Sequence, residues 1–154
     1  MAASYLDDGD YFTATDDTVN AIAAFSYALG WLDAASCLGL VTFRGENSQW
    51  LFLPIAVSES ESGRLQEKMV RYGNMLGSAL MSVSSAPEAG TCIEVACQRI
   101  LLACVVLQGF GDRFRSSGMF ENALGAYSYA HAWLDAGVRA GLFRVTGNHE
   151  LFAV

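Results

Sequence analysis

Apolar residues recur with the period of an α-helix in the segment that follows Asn122. One stripe has spacings of four, three, four and four residues, which places its members on a single helical face. It comprises Ala123, Tyr127, Ala130, Leu134 and Val138. A second stripe runs through Ala126, Tyr129, Trp133, Ala136 and Ala140. Two apolar stripes predict a helix that is buried on two sides.

The same pattern occurs earlier in the chain, at a constant offset of 102 residues. Between Asn20 and Leu40 twelve residues are identical to those 102 positions later, and several belong to rare residue types. The pairs include Tyr27/Tyr129, Trp31/Trp133 and Asp33/Asp135. The repeat predicts an internal duplication with a helix in each copy, Asn20–Leu40 and Asn122–Leu142. Asp17 is a predicted N-cap, and Gly39 and Gly141 are predicted helix ends.

Two further helices are predicted between the repeats. An exposed Ser- and Glu-rich linker, residues 58–63, precedes a helix that starts near Arg64. Its apolar positions follow the alternating spacing of bundle helices, and they are Leu65, Met69, Tyr72, Leu76, Ala79 and Val83. A fourth helix is predicted from about Glu88 to Ser116. The region before Asp16 is interpreted as its shortened counterpart.

Each repeated helix is followed by residues typical of a β-hairpin. β-prone runs flank turn residues in 41–54 and again in 143–154. A lone hairpin is marginally stable in water, so we expect the two hairpins to pair. The predicted fold is mainly α, an antiparallel helical bundle of two duplicated units, each followed by a short β-hairpin. The first repeat spans 1–57 and the second 64–154, within one compact fold.

One stretch of the second copy resembles a known family. The residues 128–143, SYAHAWLDAGVRAGLF, with the preceding helix and the turn at Gly118, resemble an archaeal family known as domain of unknown function 357. Its members look like small antiparallel helical hairpins or three-helix units. The likeness covers about residues 64–143 and, more loosely, 5–43, which implies a tandem form. The family carries no established activity, so the resemblance implies no catalytic residue.

Composition and charge narrow the possible functions. Hydrophobic residues make up 53% of the 154 residues and charged residues 16%, which excludes intrinsic disorder. The net charge is −7, and no cluster of Lys and Arg is present to bind nucleic acid. The longest unbroken apolar run, Ile100 to Leu107, is too short to span a bilayer. We therefore expect neither a nucleic-acid nor a membrane partner.

The cysteines indicate the compartment. Cys37, Cys92, Cys97 and Cys104 form no CxxC pair and lie among apolar residues, where a free Cys behaves as a small hydrophobe. The start of the chain lacks the basic and apolar regions of a signal peptide. We expect a reduced cytoplasmic protein without a metal site or cofactor.

The second copy carries the candidate polar site. Ser128, His131, Asp135 and Arg139 share one helical face. They form either a solvent-facing ion ladder or a binding site in which Asp135 orients His131 and Arg139 holds an anion. The first copy has Leu29 and Cys37 in place of His131 and Arg139, so any such site belongs to the second copy.

The aromatic residues kept in both copies have two possible roles. They are either core anchors whose polar tips use the repeated Asp as an acceptor, or the lining of grooves for a partner. The sequence contains no recognisable nucleophile–base pair and no recognisable pair of catalytic carboxylates. We expect a binding or scaffold module. Two alternatives are a small-ligand protein or enzyme that uses His131, Asp135 and Arg139, and a subunit that dimerises through its hairpins.

Overall fold

The computed structural model describes residues 1–42 and 56–153, and this part of the chain is mainly helical. The α-helices are α1 (Ala2–Ala14), α2 (Thr18–Cys37), α3 (Ser62–Met81), α4 (Cys92–Ser116) and α5 (Phe120–Arg139). Two short strands, β1 (Val83–Ser85) and β2 (Phe143–Val145), form an antiparallel sheet. Glu59–Glu61 and His149–Leu151 are 3-10 turns. The predicted linker 58–63 is thus a 3-10 turn and the start of α3.

The two repeated helices are confirmed and pack against each other at the centre of the fold. Tyr27 contacts Asp135 while Tyr129 contacts Asp33, so α2 and α5 run antiparallel. They approach closely at Gly30, where a Cβ atom would lie 2.5 Å from the carbonyl oxygen of Tyr129. Glycine is the residue that allows two backbones to come this close.

The ends of α2 and α5 follow the predicted signals. The Asp17 carboxylate caps α2 by accepting from the backbone N–H of Asn20 at 3.0 Å. Gly39 and Gly141 adopt positive φ angles of 72° and 74°. The backbone N–H of the next residue then donates to a carbonyl five residues earlier, which is the hydrogen bond of a Schellman end. Both helices end at 37 and 139, three residues before the predicted ends.

The outer helices pack on this central pair. α1 packs on α2, α4 packs on α5, and α3 covers α5 from another side. The apolar stripe predicted for α3 is confirmed for Leu65, Met69, Leu76 and Ala79, which are buried. Tyr72 is partly buried, and Val83 lies in β1 beyond the end of the helix. Trp31 and Trp133, which the core-anchor interpretation would bury, are only partly buried in both copies, although each indole nitrogen lies inside the protein.

The second predicted hairpin is wrong. β2 pairs with β1, with Val83 opposite Val145 and Ser85 opposite Phe143, and β1 was expected to be the end of a helix. Residues 149–151 form a 3-10 turn instead of a returning strand. The first hairpin, 41–54, falls almost entirely outside the described residues. The reason for the difference is that Ser82 ends α3 and accepts from the backbone N–H of Thr146 at 2.7 Å, which draws residues 143–146 across to β1.

Helix α4 leaves an apolar face exposed. One side packs on α5 through Cys97, Ile100, Cys104 and Leu107. The exposed apolar side chains of the other side include Leu102, Val105, Val106 and Phe110. By length and composition alone this helix is apolar enough to cross a membrane. The core helix of a soluble protein passes the same test, but such a helix is mostly buried, whereas only 22% of the apolar window of this helix is buried.

Two glycines in α4 provide a matched test of the α4–α5 contact. A Cβ atom at Gly111 would overlap the ring of Tyr127, whereas at Gly109 it would meet open space. We expect Gly111→Ala to lower the free energy of unfolding by about 1–3 kcal/mol. Gly109→Ala should raise it by up to about 1 kcal/mol, because Ala favours the helix. Urea denaturation measures both, and equal effects of the two substitutions would contradict the described packing.

Candidate functional site

A cavity of about 490 Å³ lies where α1, α2, α3 and α5 meet the C-terminal segment 150–153. Aromatic and other apolar side chains form most of its wall, and several buried polar groups project among them. The polar and ionisable lining residues are Tyr5, Asp8, Asn20, Tyr27, Lys68, Tyr72, Tyr127, Ser128, His131, Asp135 and Glu150. Most ligand pockets combine an apolar wall with a few convergent polar groups in this way.

His131 and Asp135 line the cavity and are buried, with 9% and 1% of their surface exposed. The solvent-facing ion ladder predicted as one alternative is therefore wrong for these two residues. His131 Nε2 donates to the carbonyl oxygen of Leu151 at 2.8 Å and lies 3.8 Å from Asp135 Oδ2. The hydrogen bond places a proton on Nε2. The Nδ1 atom has no hydrogen-bond partner among residues 1–42 and 56–153.

The Asp135 carboxylate is compensated by several donors. The Tyr27 hydroxyl donates to one oxygen, and the backbone N–H of Ala153 donates to the other at 3.3 Å. Burial raises the pKa of Asp135, and the His131 charge and these hydrogen bonds oppose the increase. Burial and the neighbouring Asp135 charge raise the pKa of Tyr27. Tyr27 therefore stays protonated and remains a donor at neutral pH.

The other two predicted site residues differ in position. Ser128 is buried, with 3% of its surface exposed, and lines the cavity. Its hydroxyl oxygen has no hydrogen-bond partner within the described part of the chain. Arg139 is exposed at the last turn of α5 and does not line the cavity. The structure thus brings Ser128, His131 and Asp135 together without Arg139.

The aromatic residues of the two copies use the repeated aspartates as acceptors, as one of the two interpretations predicted. Tyr129 Oη donates to Asp33 Oδ2 at 2.5 Å, and Tyr27 donates to Asp135. Only the second contact belongs to the cavity. At the position of His131 the first copy has Leu29, which cannot make the equivalent hydrogen bond to a carbonyl.

Sequence reasoning missed Lys68, the single lysine of the chain. It lies on α3 with 8% of its surface exposed and lines the cavity. Its ammonium group donates to Asn20 Oδ1 and lies 5.2 Å from the centre of the Tyr72 ring. The available signal was one charged residue next to the apolar stripe of α3, immediately before Met69. A single lysine next to the stripe indicates a buried cation only once α2 is known to lie opposite this part of α3.

The surroundings of Lys68 disfavour its charge. Burial, followed by the positive charges of Arg71 and Arg64, lowers the pKa of Lys68 to about 8, and Asp17 partly opposes this decrease. Asp17 itself forms an ion pair with Arg64. No carboxylate of the described residues lies within 4 Å of the Lys68 nitrogen, so the cation lacks a direct ion-pair partner there.

The geometry suits binding and gives no sign of a metal centre. Residues 1–42 and 56–153 contain no group of three or more His, Cys, Asp or Glu side chains placed to hold a metal ion. The cavity instead offers a buried cation, a histidine with one ring nitrogen unbonded, and a free serine hydroxyl. These groups recognise polar atoms of a small molecule.

The low pKa of Lys68 predicts a pH-dependent stability. Between about pH 7 and pH 9.5 the folded protein loses the Lys68 proton, whereas the unfolded chain keeps it. Because the unfolded state binds more protons, the free energy of unfolding should rise with pH by roughly 1–2 kcal/mol relative to Lys68→Met. Chemical denaturation of both proteins at each pH measures this, and subtraction removes the titrations that the proteins share. Parallel pH profiles would contradict a buried, charged Lys68.

Comparisons with known proteins give the family of the chain. No curated protein and no solved structure matches it. A family model described as protein of unknown function (DUF357) matches residues 1–41 and 71–143. The matched residues include α1, α2, α4, α5 and the second half of α3, and so they contain most of the cavity wall but not Lys68. The chain belongs to the DUF357 family.

Proposed function

We propose that this protein binds a small molecule in the cavity between α1, α2, α3 and α5. The observation that carries the proposal is the convergence of buried polar groups on one cavity, with the Ser128 hydroxyl unpartnered. A buried polar group without a hydrogen bond costs about 1–3 kcal/mol. A ligand that bonds to Ser128 and to His131 Nδ1 would offset this cost. No nucleophile–base pair is formed there, which favours binding over catalysis.

A cavity-filling substitution tests this function. Ala24 is buried and lines the cavity, whereas Ala3 is exposed on α1. Fragments found by saturation-transfer NMR should bind the wild type and Ala3→Leu equally. We expect Ala24→Leu to weaken them at least about tenfold, because its side chain occupies their space. Ser128→Ala is a second variant that removes the free hydroxyl without enlarging the side chain. Unchanged binding to both cavity variants, or no binding fragment, would refute the proposal.

We also propose that the chain is a tandem form of an archaeal-type unit, with repeats 1–57 and 64–154 joined by residues 58–63. Contacts at the offset of 102 support this. Gly9 approaches the ring of Phe25 as Gly111 approaches that of Tyr127. The turn residues Asp16 and Gly118 both have positive φ. The Tyr–Asp contacts between α2 and α5 are reciprocal, as a pseudo-twofold axis requires.

A second candidate function is self-association through the exposed face of α4. Its centre is apolar, Glu94 lies in its first turn, and Arg113 and Arg115 lie in its last turn. Two copies packed antiparallel would place the acidic end of one helix beside the basic end of the other. Parallel packing would place like charges together. The occupant that fits this face is therefore a second copy of the chain.

We also propose a reducing, cytoplasmic location for the protein. Its four cysteines are free thiols, which is typical of proteins in such a compartment.

Sedimentation velocity tests the α4 interface. We expect a dimer for the wild type and a monomer for Leu102→Gln, because the substitution places an amide at the centre of the apolar face. Met81→Gln is the matched control, since Met81 is 81% exposed and belongs to the end of α3, not to α4. A monomeric wild type, a dimer that persists in Leu102→Gln, or a monomer that co-sediments with neutral lipid vesicles would refute self-association.

A further inference from the structure

Lys68 gives the chemical class of the ligand. An ammonium group has three N–H donors, and in this protein one of them donates to Asn20 Oδ1 while the ring of Tyr72 faces the charge. Within residues 1–42 and 56–153 no carboxylate lies within 4 Å of the nitrogen. A buried charge is costly unless an opposite charge compensates it. The cavity beside Lys68 is the space in which such a charge can be placed.

The local field also favours a negative charge. Arg64 and Arg71 lie four residues before and three residues after Lys68 on α3, so the three cations share one side of the helix. Both arginines act with burial to lower the pKa of Lys68. Asp17, whose charge opposes this decrease, is already paired with Arg64. An anion bound at Lys68 would therefore be attracted by Lys68 and Arg71, whereas a cation would be repelled by them.

The rest of the cavity limits the size and charge of the ligand. Asn20, beside Lys68, and Tyr27, beside Asp135, are separated by seven residues of α2, which corresponds to about 10 Å. Ala23, Ala24 and Met75 contribute apolar wall. Asp8 and Glu150 line the cavity and are exposed, so they lie at its solvent-facing rim. Two carboxylates at the rim disfavour a ligand with several negative charges.

We infer that the cavity binds a small monocarboxylate with an apolar or aromatic body, its carboxylate on Lys68 and a hydrogen-bonding group at Ser128 and His131. This inference rests on the proposed ligand-binding function and adds the charge class. The carboxylate accepts from the free N–H donors of Lys68. At the other side of the cavity, a hydroxyl group of the ligand donates to the unbonded ring nitrogen of His131 and accepts from the Ser128 hydroxyl.

Matched probes separate the charge class from binding itself. The probe set consists of carboxylate, primary amide and amine versions of the same phenyl, hydroxyphenyl, indolyl and short alkyl bodies. Affinities are measured by NMR titration with the wild type, Lys68→Met, Lys68→Arg and Arg71→Gln. Arg71→Gln is the control, because it removes one positive charge from the same helix at a residue that does not line the cavity.

For at least one body, the wild type should bind the carboxylate about tenfold more tightly than the amide, and the amine most weakly. Lys68→Met should abolish this preference and leave amide binding in place, whereas Lys68→Arg should retain part of it. Arg71→Gln should change the carboxylate affinity by less than about threefold. If amides or amines bind the wild type as tightly as carboxylates, or if the preference survives in Lys68→Met, the charge class is wrong and the binding function stands. If no probe of any charge binds, both are wrong.

Discussion

Each of the two central helices buries part of a carboxylate against a tyrosine of the other, and the bundle is arranged around these two contacts. A buried carboxylate is tolerated only when donors compensate it. Tyr27 does this for Asp135, and Tyr129 does it for Asp33. Since the paired residues follow one another in opposite order along α2 and along α5, the two pairs together fix the antiparallel alignment and register of these helices. Gly30 permits the two backbones to approach closely between the two pairs.

The cavity lies between two sets of polar contacts that other segments of the chain make with this helix pair. Residues 151–153 fold over α5, so that Leu151 accepts from His131 and Ala153 donates to Asp135. Helix α3 brings Lys68 against Asn20 near the start of α2. The space between these two polar groups is walled by alanines and aromatic rings. A helix pair with strongly similar sequences thereby holds a site on one side only.

Local sequence determined most of the helices and little of the cavity. The 3.6-residue period and the cap residues Asp17, Gly39 and Gly141 act within a few neighbouring residues, so they are readable from the chain. The β1–β2 pairing joins residues about sixty positions apart, and nothing near Val83 indicates its partner. Spacing placed His131, Asp135 and Arg139 on one face. It could not show that residues 151–153 cover the first two and leave Arg139 in solvent.

Lys68 illustrates why a binding site resists prediction from sequence even where its fold does not. As a single charge beside an apolar stripe, it is compatible with a side chain that extends along the helix to reach water. Its burial depends on the start of α2, because Asp17 both caps that helix and pairs with Arg64, and Asn20 then accepts from Lys68. A cap residue chosen for helix formation thus also holds α3 in place. The buried cation is a consequence of that docking, and it is the observation from which we infer a carboxylate ligand.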